Sequence, residues 1–159
     1  MKILIKISFL FLLLLTLSAC AAPAEIPSDL QITLERGPCF GTCPVYIVTI
    51  DSTGNVVYAG MQFVAVEGTQ TTTISEEQLL ALVAAFQEAD FFSLKNSYEA
   101  GATDLSTTTT ILTMNGESKT VFNYGVGCEN ELGPAPQKLC DLETFIDETV
   151  NVDQWVKGP

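Results

Sequence analysis

The five cysteines carry the most reactive side chains of this 159-residue sequence: Cys20, Cys39, Cys43, Cys128 and Cys140. The chain has no histidine, which excludes a Ser-His-Asp triad, a Cys-His dyad and any metal centre that needs imidazole. Four kinds of cysteine chemistry remain: lipid attachment, structural disulfides, thiol-disulfide exchange and a zinc site made of four thiolates.

Cys20 ends a segment typical of a bacterial lipoprotein signal peptide. Lys2 and Lys6 precede an apolar run over residues 7–17. This run is much shorter than the roughly 20 residues of a membrane-spanning helix. The following Leu17-Ser18-Ala19-Cys20 looks like a lipobox, in which cleavage precedes the cysteine and its thiol receives a diacylglyceryl group. We therefore expect a palmitate-bearing lipoprotein anchored at Cys20. The alternative is an ordinary secretory signal that happens to end near a cysteine.

Cleavage before Cys20 divides the chain into a leader (1–19), a lipidated cysteine with a short tether (20–29) and one domain (30–159). The mature chain has five basic and nineteen acidic residues and a net charge of -14. Such acidity disfavours nucleic acid and is repelled by anionic lipid, so the acyl chains must provide the anchor. We expect a cell-envelope location, at the outer membrane where the host has one, because Ala21 is not an acidic inner-membrane retention signal.

The hydrophobic pattern of the domain predicts an α+β fold. Alternating or β-branched stretches predict strands at 30–35, 45–51, 55–59, 62–67, 71–74, 107–114 and 117–124. A capping-box sequence at Ser75 begins a helix that runs to about Ala89, and a second amphipathic helix covers 136–150. We expect a two-layer structure, with both helices on one face of an antiparallel sheet.

The four cysteines after Cys20 are an even number in an exported chain, which predicts two disulfides. Three pairings are open, and we favour Cys39–Cys43 and Cys128–Cys140. The first closes a tight loop around a glycine. The second would join a loop to the last helix and stabilise the fold by about 2–4 kcal/mol.

Two other uses of these cysteines compete with that prediction. A zinc site would need closer spacing than the eleven residues between Cys128 and Cys140. A redox site at Cys39 and Cys43 would normally have two intervening residues and a helix after them, whereas three intervene here and a strand is predicted after Pro44. We expect no metal and no cofactor.

The residues around this cysteine pair resemble a known family. Arg-Gly-Pro-Cys-Phe-Gly-Thr-Cys-Pro-Val-Tyr at 36–46, followed by Ile50-Asp51 and Gly54, is similar to the signature of a bacterial family, domain of unknown function family 6438. The resemblance continues to Trp155 and covers the chain from about Leu30. It implies a defined domain and no particular activity. The segment 127–139 is longer than in the family, so the resemblance supports the second disulfide less than the first.

Arg36, the single arginine, and Asp104 are polar residues of this resemblance. They could form a shared polar site beside the cysteine loop; the alternative is a structural ion pair or two separate surface groups. We interpret the acids of the last helix, Glu143, Asp147 and Glu148, as solvated surface.

The function expected from these observations is a non-enzymatic binding or structural module with an envelope protein partner. Its alternative is an envelope thiol-disulfide protein that uses Cys39 and Cys43. A third class is a small enzyme or enzyme inhibitor that works through Arg36 and the acidic surface.

Overall fold

A computed structural model describes residues 25–125, 128 and 135–158. The predicted signal peptide, the predicted lipid site at Cys20, the first part of the predicted tether and most of the loop between residues 125 and 135 lie outside the described residues.

Seven strands form one open sheet, in the order β4-β3-β2-β1-β6-β7-β5. All neighbouring strands are antiparallel except β5 and β7, which are parallel. The strands are β1 (Gln31–Arg36), β2 (Val45–Asp51), β3 (Asn55–Gln62), β4 (Gly68–Thr73), β5 (Ser97–Glu99), β6 (Thr107–Met114) and β7 (Glu117–Tyr124).

The helices are α1 (Glu76–Glu88), α2 (Gln137–Thr149) and the short α3 (Asp153–Val156), with a 3-10 turn at Phe91–Ser93. The predicted capping box is present: Ser75 Oγ accepts from the Gln78 backbone N–H at 3.2 Å, and Gln78 Oε1 accepts from the Ser75 N–H at 3.0 Å. Buried residues of α1 and α2 join the alternate, inward residues of the strands in one core. The α+β prediction with the two long helices on one face of the sheet is confirmed.

The predicted strand at 62–67 is wrong. Strand β3 runs through Gly60 to Gln62, and the chain then bends before β4 begins at Gly68. The bend follows from contacts with the C-terminus, because the backbone N–H groups of Ala65 and Val66 donate to carbonyls of α3 at 3.0 and 2.9 Å. The three-residue β5 was not predicted, since so short a run has no readable period.

Two tyrosines on the first hairpin belong to the core. Tyr46 and Tyr58 are buried, and the Tyr58 ring stacks on Trp155 with a centroid distance of 4.7 Å. The segment after Asp51 is a hairpin turn. Asp51 Oδ1 accepts from the backbone N–H groups of Thr53 and Asn55 at 2.8 and 3.2 Å.

The surroundings of the two ends of β1 differ, and we call these ends of the sheet the tether end and the cleft end. At the tether end, where β1 begins, both carboxylate oxygens of Asp29 accept hydrogen bonds, from the N–H groups of Asn115 and Gly116 at 2.9 and 2.6 Å. These bonds lower the pKa of Asp29. At the cleft end, where β1 finishes, Arg36 lies between Tyr46 and Thr108 of the neighbouring strands.

Candidate functional site

A cleft of about 620 Å³ opens at the cleft end. It lies between the ends of the central strands β1, β2 and β6 on one side and the C-terminal half of α2 with α3 on the other. Its walls include Cys43 and Pro44 on the sheet side and Asp153 and Lys157 on the helix side. Such a volume is typical of small-ligand and peptide side-chain sites. The floor of the cleft is polar, because β1, β2 and β6 each contribute a hydrogen-bonding side chain there.

Arg36 organises that floor. Its Nη2 and Nε donate to Asp147 Oδ2 at 2.8 and 3.2 Å, and its Nη1 donates to Thr108 Oγ1 at 2.8 Å. Nη2 also donates to the backbone carbonyl of Glu143 at 3.2 Å, and the hydroxyl of Tyr46 donates to Asp147 Oδ1 at 2.9 Å. The guanidinium and its partners therefore join three strands of the sheet to α2. Charge-assisted bonds of this kind are the strong ones in proteins.

Glu143 is the most buried member of this group, with 2% of its surface exposed. Its Oε2 lies 3.8 Å from Arg36 Nη1, and both carboxylate oxygens lie within 3.4 Å of Asn123 Nδ2. Burial raises the pKa of Glu143 to about 7, against the opposing effects of Arg36 and Asn123. Burial therefore favours the protonated form of this carboxyl group well above the usual titration range of a glutamate. We refer to Arg36, Tyr46, Asn123, Glu143 and Asp147 as the arginine cluster.

Opposed effects set the charge states of the other members. Burial raises the pKa of Asp147, while the charge and hydrogen bonds of Arg36 act to lower it. Burial acts to lower the pKa of Arg36, but Asp147, Tyr46 and Glu143 outweigh it and the pKa is raised. The pKa of Tyr46 is raised, first by burial and then by Asp147. The guanidinium stays charged and the phenol stays protonated, so these groups hold each other in place.

Both predicted disulfides, Cys39–Cys43 and Cys128–Cys140, are present, with Cα–Cα distances of 5.7 and 6.1 Å. The first carries Phe40 in its loop, 88% exposed. Strand β2 begins directly after Pro44, so no helix N-terminus is available to lower a thiol pKa there. In the second, Cys140 Sγ lies 3.9 Å from Asn123 Nδ2, which places this bridge against the arginine cluster.

The structure does not join Arg36 to Asp104. Asp104 lies in the turn before β6, where its backbone carbonyl accepts from the Phe40 N–H at 3.0 Å and its carboxylate accepts from Thr103 Oγ1 at 3.2 Å. Among the described residues, the ion-pair partners of Arg36 are Glu143 and Asp147. Asp104 instead supports the Cys39–Cys43 loop.

The interpretation of Glu143 and Asp147 as solvated surface is wrong. Glu143 falls within the apolar stripe of α2, four residues after Leu139 and three before Ile146, both of which are buried. Asp147 follows at the same helical spacing from Glu143, so both carboxylates face the sheet. The interruption of an apolar stripe by acids, in a chain with a single arginine, is the signal that could have located this cluster.

Among the residues that the structure describes, no group of three or more His, Cys, Asp or Glu side chains is arranged to hold a metal ion. Within the same residues, no helix has the length and hydrophobicity that crossing a membrane requires.

Comparison with known proteins gives one family. The sequence model of the family described as Domain of unknown function (DUF6438) matches residues 30–150. No curated protein matches the chain. The match begins one residue before β1, spans the arginine cluster and both disulfides, and covers most of the sequence. The chain therefore belongs to the family Domain of unknown function (DUF6438).

Proposed function

We propose that this chain is an exported lipoprotein, anchored through Cys20, whose domain is a non-enzymatic binding module that presents its cleft away from the membrane. The observation that carries the proposal is the placement of the tether and the cleft at opposite ends of β1. Asp29, the last residue of the predicted tether, is fixed at the tether end. Arg36 is at the other end, separated by a six-residue strand of about 20 Å.

The lining of the cleft supports binding in preference to catalysis. The guanidinium of Arg36 is directed at three protein acceptors, and the Tyr46 hydroxyl at a fourth. Groups that are committed to one another form a rigid floor and do not supply a free nucleophile or base. The charged residues that line the cleft include three carboxylates, of Asp147, Glu148 and Asp153, and two cations, Arg36 and Lys157. This balance favours a neutral or cationic segment of an envelope partner.

The anchor is tested by mass spectrometry of the chain from a lipoprotein-processing bacterium. The expected result is loss of residues 1–19 and addition of acyl mass at Cys20. The variant Cys20→Ser serves as the matched control and should lack that mass and leave the membrane fraction. An uncleaved leader, or a cleaved chain without acyl mass, contradicts the proposed anchor.

Ligand binding at the cleft is tested by capture of envelope proteins from intact cells. A photo-crosslinking side chain at Lys157, in the cleft wall, should give a discrete adduct. The same side chain at Thr53, at the tether end, should not. Equal adducts from both positions would contradict a binding role for the cleft.

The alternative function is thiol-disulfide exchange at Cys39 and Cys43, and it is favoured by the presence of Cys43 in the cleft wall. Thiol counting on the purified chain separates the two functions. A redox protein would give two titratable thiols in a glutathione buffer, whereas a structural bridge resists reduction there.

A further inference from the structure

The structure assigns a self-association surface to β4: we propose that the exposed edge of this strand pairs with β4 of a second copy of the chain and makes one continuous sheet. β4 is the end strand of the sheet order, and five of its six residues are exposed. This surface is separate from the cleft and does not depend on lipid attachment.

The backbone groups that point outward from β4 follow from its register with β3. Asn55 lies opposite Thr73, which places Gly54 opposite Ile74, and the Ile74 N–H donates to the Gly54 carbonyl at 2.9 Å. Hydrogen-bonded and non-bonded pairs alternate along an antiparallel ladder. Thr69, Thr71 and Thr73 therefore turn their N–H and C=O groups away from β3. Within the described residues these groups receive no other hydrogen bond.

The two edges of the sheet are protected differently. Natural edge strands avoid pairing through shortness, charge, proline or a bulge. The β5 edge is three residues long and contains Glu99. The β4 edge is six residues long, contains neither a charged residue nor proline, and has an uninterrupted register with β3. Of the two edges, only the β5 edge has features by which natural edge strands avoid pairing.

The occupant is a second copy because β4 is complementary to itself. In an antiparallel pair centred on Thr71, Thr71 faces its own equivalent and Thr69 faces Thr73 of the second copy. Three such pairs give about six backbone hydrogen bonds. Cross-strand threonine pairs add to the pairing. The chain has a net charge of -12, so two copies repel at most surfaces, but β4 itself brings no carboxylates together.

The dimer is weak and depends on concentration. One strand edge buries well below the roughly 800 Å² per partner of a stable interface. Pairing itself does not require the membrane, but the lipid anchor of the proposed function would raise the effective concentration of two copies and favour it.

Cysteine crosslinking of the full chain tests the surface and its register. Thr71→Cys places two thiols across the twofold axis, where Cα atoms of a bonded pair are about 5.5 Å apart. A short bismaleimide should give about tenfold more dimer than it gives with Thr120→Cys on the outer face of β7, because paired thiols have a high local concentration. Thr69→Cys places its thiols about 14 Å apart and should also give little dimer.

A second variant pair tests the backbone pairing. Thr73→Pro in the Thr71→Cys chain removes an outward N–H and should abolish the excess dimer, whereas Thr73→Ala should retain it. The proposal is overturned if Thr71→Cys crosslinks no more than Thr120→Cys, if Thr69→Cys crosslinks equally well, or if the Pro and Ala variants behave alike. A crosslink from the new thiol of the Thr71→Cys chain to a different protein would also overturn it.

Discussion

The two ends of the sheet use carboxylates in opposite ways. At the tether end, Asp29 is exposed and accepts two backbone hydrogen bonds. At the cleft end, Asp147 and the buried Glu143 share one guanidinium and lie between α2, which carries them, and the sheet. Water can replace lost hydrogen bonds at the first end but not at the second. At the tether end, Asp29 therefore only adds hydrogen bonds to a turn that is already formed. At the cleft end, the packing of α2 on the sheet depends on the buried ion pairs.

The largest expected effect is from Arg36→Met. This change leaves Asp147 and Glu143 buried without their cation, and loss of one partner of a buried ion pair costs about 3–5 kcal/mol of the free energy of unfolding. Urea unfolding measures it. Lys157→Met, which removes the exposed ion pair with Asp153, is the matched control and should cost less than about 1 kcal/mol. Equal losses would contradict the distinction between the two kinds of pair.

Glu143→Gln should remove a pH dependence of stability. The pKa of Glu143 rises from 4.5 to about 7 on folding, so the native state binds the extra proton between these values. Its stabilising contribution is complete below pH 4.5 and is lost as the pH rises through 7. The loss is on the order of 3 kcal/mol.

The measurement is the free energy of unfolding of the wild type minus that of Glu143→Gln, followed from pH 4.5 to above 7. This difference should fall across that range. Glu148→Gln, at an exposed position of the same helix, is the control, and its free energy of unfolding should change with pH as that of the wild type does. A flat difference for Glu143→Gln would show that the carboxyl group is not held in its buried state.

The free energy of unfolding that is lost on removing each disulfide should increase with the length of the loop that the disulfide closes. Cys39→Ser with Cys43→Ser opens a short loop at the cleft end and should cost about 2 kcal/mol, whereas Cys128→Ser with Cys140→Ser opens a longer one and should cost about 3 kcal/mol. Urea unfolding of the two double variants gives the comparison. A larger loss for the Cys39–Cys43 pair would mean that this loop supports the cleft beyond its chain-entropy effect.

The smallest expected effect is from Asp29→Asn at the tether end. Its lowered pKa means that its contribution is present at neutral pH and is lost as the pH falls below the ordinary aspartate range. Amide hydrogen exchange should quicken at Asn115 and Gly116, while amides of the arginine cluster stay unchanged. Faster exchange throughout the domain would contradict the view that Asp29 stabilises only this turn.

The sequence predicted the regular elements well, and its errors have physical causes. Strands β2, β6 and β7 have the predicted bounds because turn residues delimit each run and β-branched residues are frequent within them. The bend after β3 depends on hydrogen bonds to α3, which is about ninety residues away along the chain. Local patterns contain no such information.

The arginine cluster was only partly predictable for the same reason. Arg36 stands out in the sequence as the single arginine, but its partners on α2 lie more than a hundred residues away. A charged residue on an amphipathic helix is solvated in most proteins. The acids that interrupt the apolar stripe of α2 mark its inward face, but only the register of α2 against the sheet shows that Glu143 and Asp147 meet Arg36.

The orientation of the domain on a membrane is the sharpest test of the proposal that the tether and the cleft lie at opposite ends of the domain. Single fluorescent labels at Thr53→Cys, on the tether-end turn, and at Phe40→Cys, on the cleft-end loop, are compared in vesicles that contain a lipid-borne quencher. We expect strong quenching at position 53, weak quenching at position 40, and no quenching at either once Cys20→Ser is added. Equal quenching at the two positions, or stronger quenching at position 40, would contradict a cleft that faces away from the membrane.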